Sequence, residues 1–376
     1  MGSSLDQFAR SKLAVLEQSA LRRRLVSTAR APGALVTRGG ENLISFSCND
    51  YLNLATDPVV IEASIAATRQ FGAGAGASRL VTGDHPLYRT LEQKLAAVKG
   101  SEDCMVFGSG FLANIGIIPA LIGAGDVIFA DEWAHACIHA GAVLSGARVE
   151  RFAHNDVDDL TRLLAQHRPA ARHALIVTDT VFSMDGDCAP IEALAALAER
   201  HDAWLLTDDA HGFGVVPARA HRVPLQMGTL SKSVGAYGGY LCASAAVCAL
   251  LRNRARSFVY TTGLPPGVIG AAIAGVERIA SDADYCARPR RHAQFFATLL
   301  GLPAPESSIV PLILGTAAAA LDAQAALEQA GFLVAAIRPP TVPVGTARLR
   351  FTFTAQHRTE DIKRLAALVD QEILHR

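Results

Sequence analysis

The stretch CMVFGSGFLANIGIIPALIGAGDVIFADEWAHACIHAGAVLSGARVERFA, residues 104 to 153, reads as strand, glycine turn, helix, strand, polar turn, helix, strand. CMVF and DVIFAD are short β-rich runs, whereas GFLANIGIIPALIG and EWAHACIHAGAVL have helical length. The alternation continues outward. RVERFA is followed by DVDDLTRLLAQH, HALIVTDTVF by PIEALAALAER, and AWLLTDDA closes the series. From about residue 100 to 245 this pattern predicts a mostly parallel sheet covered by helices on both faces. From about 285 the order changes to VPLILG, a helix, GFLVAAI, the proline-rich RPPTVPVG, the alternating ARLRFTFT and a last helix from about 358. The expected organisation is an N-terminal helix and strand segment at 1–45, a large α/β domain at 46–284 and a smaller α+β domain at 285–376.

The 376 residues are half apolar, enough for a substantial core. Lys+Arg and Asp+Glu number 35 each, so no global field draws the chain to nucleic acid or to an anionic membrane. FLANIGIIPALIG is broken by Asn114 and Pro119, and no apolar window reaches the roughly 18 residues that span a bilayer. The first 25 residues read as an amphipathic helix without a signal-peptide core. Seven cysteines with no CxxC pair are expected to be reduced core thiols, which suits a cytoplasmic protein.

In open α/β sheets, ligands bind beyond the carboxyl ends of the strands. Five polar stretches stand at such ends: FGSGF (107–111), DEWAH (131–135), VFSMDGD (181–187), TDDAHG (207–212) and GTLSKS (228–233). Each has an ordinary structural alternative. Gly108 and Gly110 serve a tight turn as readily as an anion site. His135 reads equally as a surface imidazole and Ser183 as a hydroxyl bonded to backbone. Asp208, after the apolar AWLLT, could be a buried carboxylate paired with an arginine. Lys232, among hydroxyl residues and glycines, could be a solvated turn residue.

Other chemistries lack their signatures. There is no GxxxxGK[ST], no HExxH and no GxSxG; GAGAGAS at 72–78 shows only fragments of GxGxxG and opens no βαβ unit. A glycine turn, an imidazole, a buried Asp and a lone Lys remain, and these are the groups that pyridoxal 5'-phosphate requires.

The order Asp208 then Lys232, 24 positions apart, with T-x-S-K-x-x-G around the lysine, resembles the fold-type I pyridoxal-phosphate transferases. SFSCNDYLNLA (45–55), GASRLVTGDHPLYRTLE (76–92), FGSGFLAN (107–114), FAHND (152–156), VFSMDGDCAPI (181–191), DDAHGFGV (208–215) and VYTTGLPP (259–266) resemble their α-oxoamine synthase branch over nearly the whole chain. Within it, AIRPPTVPVGTARLRFTFTAQH (336–357) is most similar to members that condense L-alanine with a pimeloyl thioester, on CoA or a carrier protein, in biotin synthesis.

The resemblance implies a seven-stranded, mostly parallel sheet and a set of roles. Lys232 would carry the cofactor and take the substrate's α-proton, and Asp208 would pair with the ring nitrogen. His135 would stack on the ring, with Ser183 and His211 at its phenolic oxygen. Thr229 and the amides of Gly110 and Phe111 would hold phosphate. Arg350 would take the amino-acid carboxylate, although a structural arginine beside Arg348 is the alternative. Arg22, Asn49 and Thr341 match substrate-contacting positions, although LRRR alone suits a solvated helix face. A homodimer is implied, with Thr261 or Thr262 of the neighbour reaching the phosphate. No metal is expected. Ala75, Ala77 and Phe213 depart from the common pattern, where they could bear on acyl-chain fit. Sister synthases using glycine or serine, a non-catalytic cofactor-binding regulator and a nucleotide-binding module are the competing readings.

Overall fold

A computed structural model describes residues 3–217 and 223–375. Helix α1 (Ser4–Gln18) is capped by Ser3, whose Oγ accepts the Asp6 N–H, and buries none of its side chains. Strands β1 (Thr28–Arg30), β2 (Leu35–Arg38) and β3 (Glu41–Ser45) follow as an antiparallel ribbon. Helices α2 (Pro58–Phe71) and α3 (Leu87–Lys99) then lead into the main sheet. Pro58 suits the first turn of α2 because an N–H there has no helical acceptor, and the Asp57 side chain takes the Val59 N–H.

The main sheet contains β4 (Asp103–Phe107), β5 (Val127–Asp131), β6 (Arg148–Phe152), β7 (Ala174–Asp179), β8 (Trp204–Asp208), β9 (Leu225–Thr229) and β10 (Gly239–Ala243). Their spatial order is β4-β10-β9-β8-β7-β5-β6, and β10 alone runs antiparallel to its neighbours. Helices α4 (Gly110–Leu121), α5 (Ala136–Ser145), α6 (Val157–His167) and α7 (Ile191–Arg200) connect the parallel strands. After β10 come α8 (Ala245–Arg254), α9 (Arg256–Val259) and α10 (Pro266–Ser281).

Strand side chains alternate between faces, so one strand feeds two cores. Val127 and Phe129 join Ile176 and Leu205 on one side, while Ile128, Val177 and Leu206 meet the α4 and α5 residues Ile117 and Ile138 on the other. Burial on both faces explains why these strands read as continuous apolar runs. RVERF, the charged exception, is the edge strand β6 and is partly exposed.

The C-terminal part comprises α11 (Ala283–Leu299), β11 (Ile309–Gly315), α12 (Ala317–Gln329), β12 (Phe332–Leu333), β13 (Ala335–Ile337), β14 (Ala347–Thr352) and α13 (Thr359–Val369). GFLVAAI is two strands rather than one. Phe332 and Leu333 pair in parallel with Ile44 and Ser45 of β3, whereas Ala335 to Ile337 pair with β14. The chain changes sheets at the fully buried Val334. Phe46, Phe296, Phe351 and Phe353 fill this region's core, which ties the N-terminal strands to the C-terminal sheet.

Among the described residues, the seven cysteines form no disulfide. No helix among the described residues is long and apolar enough to cross a membrane.

Candidate active site

The parallel strands end on one side of the sheet, and their last residues converge there. Asp179 ends β7 and Asp208 ends β8, in direct register with each other. Thr229 ends β9 and Lys232 stands three residues beyond it. His135 caps the start of α5, and Gly110 begins α4 behind its own cap, Ser109. A cleft of about 750 Å³ opens over this convergence, and Lys232, His135, Ser183, His211, Asn49, Thr341 and Arg350 all line it.

Among the described residues, no hydrogen bond or ion pair engages the Lys232 ammonium. Burial depresses its pKa below the ordinary lysine value, against the pull of Asp208 and Asp179. Asp208 is 4% exposed; its Oδ2 accepts from Asn114 Nδ2 at 2.8 Å and its Oδ1 from the Ala210 N–H at 3.0 Å. Burial raises its carboxyl, opposed by Lys232 and His135. Asp179 is also raised, by burial and then by the charge of Asp208. Asp179 accepts the backbone N–H of His135 at 3.1 Å, which anchors the α5 cap to β7. Burial likewise lowers the pKa of His135.

Arg350 is 4% exposed and pairs with no carboxylate among the described residues. Its Nε donates to the Ser183 carbonyl, and its terminal nitrogens reach Asn49 Oδ1 at 3.2 Å and Tyr51 Oη at 3.3 Å. Tyr51 in turn lies 2.6 Å from His211 Nδ1. Burial holds His211 well below its usual pKa and raises that of Tyr51, so a phenol and a neutral imidazole share this bond, with Asn49 Oδ1 also 3.3 Å from the phenol. Arg348, two residues earlier, is ion-paired with Asp185.

A second polar cluster supports the wall of the cleft. His154 bonds Asp131 through Nδ1 at 3.1 Å and Asp187 through Nε2 at 2.7 Å, and it stacks on Trp133 with centroids 4.0 Å apart. Burial alone would lower its pKa, but hydrogen bonds to the two carboxylates override that and raise it to about 9.

Gly110 lies against Thr229: a Cβ there would meet Met227 Cε at 3.2 Å and Thr229 Cβ at 3.4 Å. The amides of Gly110 and Phe111 open α4 in its first turn, where backbone donors have no intrahelical acceptor. Thr261 and Thr262 of the same chain lie elsewhere, in a small separate cavity beside Gly108. Arg22 pairs with Glu17 at 2.8 Å; its neighbour Arg23 is the residue that reaches Thr341, at 2.8 Å. Phe213 is core rather than cleft, packed edge-on against Tyr240.

Asp179, Asn114, Tyr51, Cys137 and Trp133 escaped the sequence reading. Asp179 carried the signal that picked out Asp208, a carboxylate closing an apolar strand. Asn114 was legible as the one amide inside an apolar helix.

These residues suit pyridoxal phosphate. An amine without a partner, a buried carboxylate held only by neutral donors, and a helix start kept open by glycine match an aldehyde, a protonated ring nitrogen and a phosphate.

The aminotransferase class I and II family model matches residues 41–369. The putative 8-amino-7-oxononanoate synthase of Acidiphilium cryptum is 67% identical over 99% of both chains. The 8-amino-7-oxononanoate synthase of Granulibacter bethesdensis is 60% identical over 97% of each. Among solved structures, serine palmitoyltransferase of Sphingomonas wittichii superposes with a TM-score of 0.91 at 30% identity, covering 98% of this chain and 97% of that one. A structure of SPT with a PLP internal aldimine gives 0.92 at 28% identity, over 98% of each chain.

Proposed function

Because the chain belongs to the 8-amino-7-oxononanoate synthase family, within the aminotransferase class I and II proteins, we propose that it condenses L-alanine with a pimeloyl thioester, releasing carbon dioxide, free thiol and 8-amino-7-oxononanoate. It is a fold-type I, pyridoxal-phosphate-dependent acyltransferase of biotin biosynthesis. The observation that carries the reading is the pairing, in one cleft, of an amine without a partner, Lys232, and a buried guanidinium without a carboxylate, Arg350.

When bound, the cofactor supplies an electron sink for the bond that breaks at the amino acid's α-carbon. Lys232 would hold its aldehyde carbon, Asp208 its ring nitrogen, and Thr229 with the Gly110 and Phe111 amides its phosphate. Ser183 and His211 would lie beside its phenolic oxygen. The Lys232 amine would take the α-proton on Nζ, a task that the depressed pKa favours near neutral pH. Asp208, held by its two neutral donors, would pair with the ring nitrogen and favour its protonated form.

Arg350 would bind the substrate carboxylate through both terminal nitrogens, exchanging two long bonds to neutral oxygens for two charge-assisted ones. That grip would orient the amino acid and so select which α-bond breaks. His135 would stack on the ring and meet the thioester; Asn49 and Thr341 line the cleft with it, Arg23 bonds Thr341, and Arg22 would contact the substrate from beside them.

The acyl donor would ride on CoA or a carrier protein, and the chain would act as a cytoplasmic homodimer in which Thr261 and Thr262 of one copy serve the phosphate of the other. Division into segments 1–45, 46–284 and 285–376 completes the proposal.

A second reading, a serine-using synthase with a long acyl donor, is favoured by the structural match at TM-score 0.92. Incubating cofactor-loaded protein with alanine, glycine or serine against pimeloyl-, acetyl- and palmitoyl-CoA, and weighing the products, decides between them. Product from serine and palmitoyl-CoA but none from alanine and pimeloyl-CoA would refute the first reading.

A further inference from the structure

We propose that Cys137 is a positioning residue: its thiol, oriented by Asn114, fixes His135 in the tautomer that carries its proton on Nε2, so the cleft-facing edge of the imidazole is a hydrogen-bond donor. The inference rests on the reading of His135 as the residue that faces the acyl thioester.

The argument begins with a helix cap. His135 Nδ1 lies 3.3 Å from the backbone nitrogen of Cys137 and accepts its N–H. A backbone N–H can only donate, so this contact favours a lone pair on Nδ1, but at 3.3 Å it is long and does not fix one alone. The sulfur of Cys137 lies 2.8 Å from the same Nδ1.

Asn114 decides which way that thiol turns. Its Nδ2 is 2.8 Å from Asp208 Oδ2 and 3.1 Å from Cys137 Sγ. A carboxylate accepts, so the nitrogen end of the amide faces Asp208 and the second amide hydrogen goes to sulfur. Sulfur is thereby an acceptor toward Asn114 and is left to donate its own hydrogen to His135. That hydrogen stays in place across the working pH range, because burial, followed by the charge of Asp208, pushes the Cys137 thiol up to about 12.

The ring has one proton to place. Asp208, Lys232 and Asp179 are the charged groups around it, and burial keeps the imidazole pKa below its ordinary value, so it is neutral near pH 7. With Nδ1 engaged by two donors, the proton belongs on Nε2, which has no partner among the described residues. A donor there polarises a thioester carbonyl; the other tautomer would aim a lone pair at the carbonyl oxygen. The relay His135, Cys137, Asn114, Asp208 also gives the ring-facing imidazole and the ring-nitrogen carboxylate one common support.

The test is nitrogen NMR of the full-length, cofactor-loaded protein carrying 15N-histidine, with the His135 signals identified by their loss in His135→Gln. Expected in the unaltered protein are a protonated Nε2 and a bare Nδ1. Cys137→Ser keeps a donor and should preserve this pattern with kcat within about twofold, whereas Cys137→Ala should populate both tautomers and lower kcat about tenfold, with KM for the amino acid unchanged. A protonated Nδ1 in the unaltered protein overturns the proposal, as does a Cys137→Ala protein with an undisturbed tautomer. If Cys137→Ala does not fold, the unaltered protein and Cys137→Ser still decide. Covalent cofactor labelling of Lys232 is independent of this tautomer, so failure here is distinguishable from failure of the functional reading.

Discussion

Arg348 and Arg350 leave β14 on the same face, two residues apart, yet only Arg348 has an anion: Asp185 neutralises it, while Arg350 rests on a carbonyl, an amide oxygen and a phenol. Two buried guanidinium groups of the same strand are thus separated into an ion pair and a cation held by neutral oxygens among the described residues. Both meet the 182–187 loop, Arg348 at the Asp185 carboxylate and Arg350 at the Ser183 carbonyl, and the Asn49 and Tyr51 turn completes the surroundings of Arg350.

Arg350→Ala should raise KM for the amino acid by about 10- to 100-fold, the worth of a hydrogen-bonded charge pair at roughly 1.5–3 kcal/mol, with little change in melting temperature. Arg350→Lys should recover only part, since a point charge cannot replace the two-pronged grip. Arg348→Ala should do the reverse and lower stability by about 1–2 kcal/mol, less than a fully buried pair because Asp185 retains some exposure. Steady-state kinetics and thermal melts of the three variants separate the two roles.

Lys232 should leave a signature in stability against pH. Its folded pKa lies below the unfolded value of 10.5, so the unfolded chain binds the extra proton between the two. Stability of the cofactor-free protein is therefore expected to rise with pH through that window. Lys232→Met should flatten the rise and be the more stable protein at neutral pH, a result that denaturant titrations at several pH values would reveal. The same substitution should abolish covalent attachment of pyridoxal phosphate under borohydride.

His154 predicts the opposite slope. Its pKa rises from 6.5 to about 9 on folding, so its contribution is complete below 6.5 and disappears as pH climbs through about 9. At 1.36 kcal/mol per unit this is on the order of 3 kcal/mol. His154→Gln should remove that alkaline loss. An unchanged pH profile in the variant would show that the clamp from Asp131 to Asp187 carries no proton.

Gly110→Ala should weaken cofactor binding about tenfold while leaving the fold intact, because the added methyl crowds a flexible Met227 tip and Thr229 at the mouth of the phosphate cradle. Titration of cofactor-free protein with pyridoxal phosphate gives the constant directly. Equal affinity in the variant would place phosphate elsewhere.

Much of this was legible in the sequence wherever neighbours in space are neighbours in chain. Strand, turn and helix alternate locally, so the ends bearing His135, Ser183, Asp208 and Lys232 could be read from residues 100 to 245. Relations made by distant register could not. Nothing local says that β10 runs backwards between β4 and β9, or that GFLVAAI splits at Val334 between two sheets. Arg22 and Arg23 are indistinguishable in LRRR; only the placement of the 338–343 loop puts Arg23 on Thr341. Asp185 beside Arg348 is another such case, since 163 positions separate them.

The parallel pairing of Ile44 with Phe332 carries a consequence for synthesis on the ribosome. The β3 edge of the early ribbon has no partner until Phe332 has emerged, well after Lys232, and Arg350 arrives later still. The large sheet, whose last strand ends at Ala243, can therefore assemble, with Asp208 and Lys232 in place, before that edge is closed.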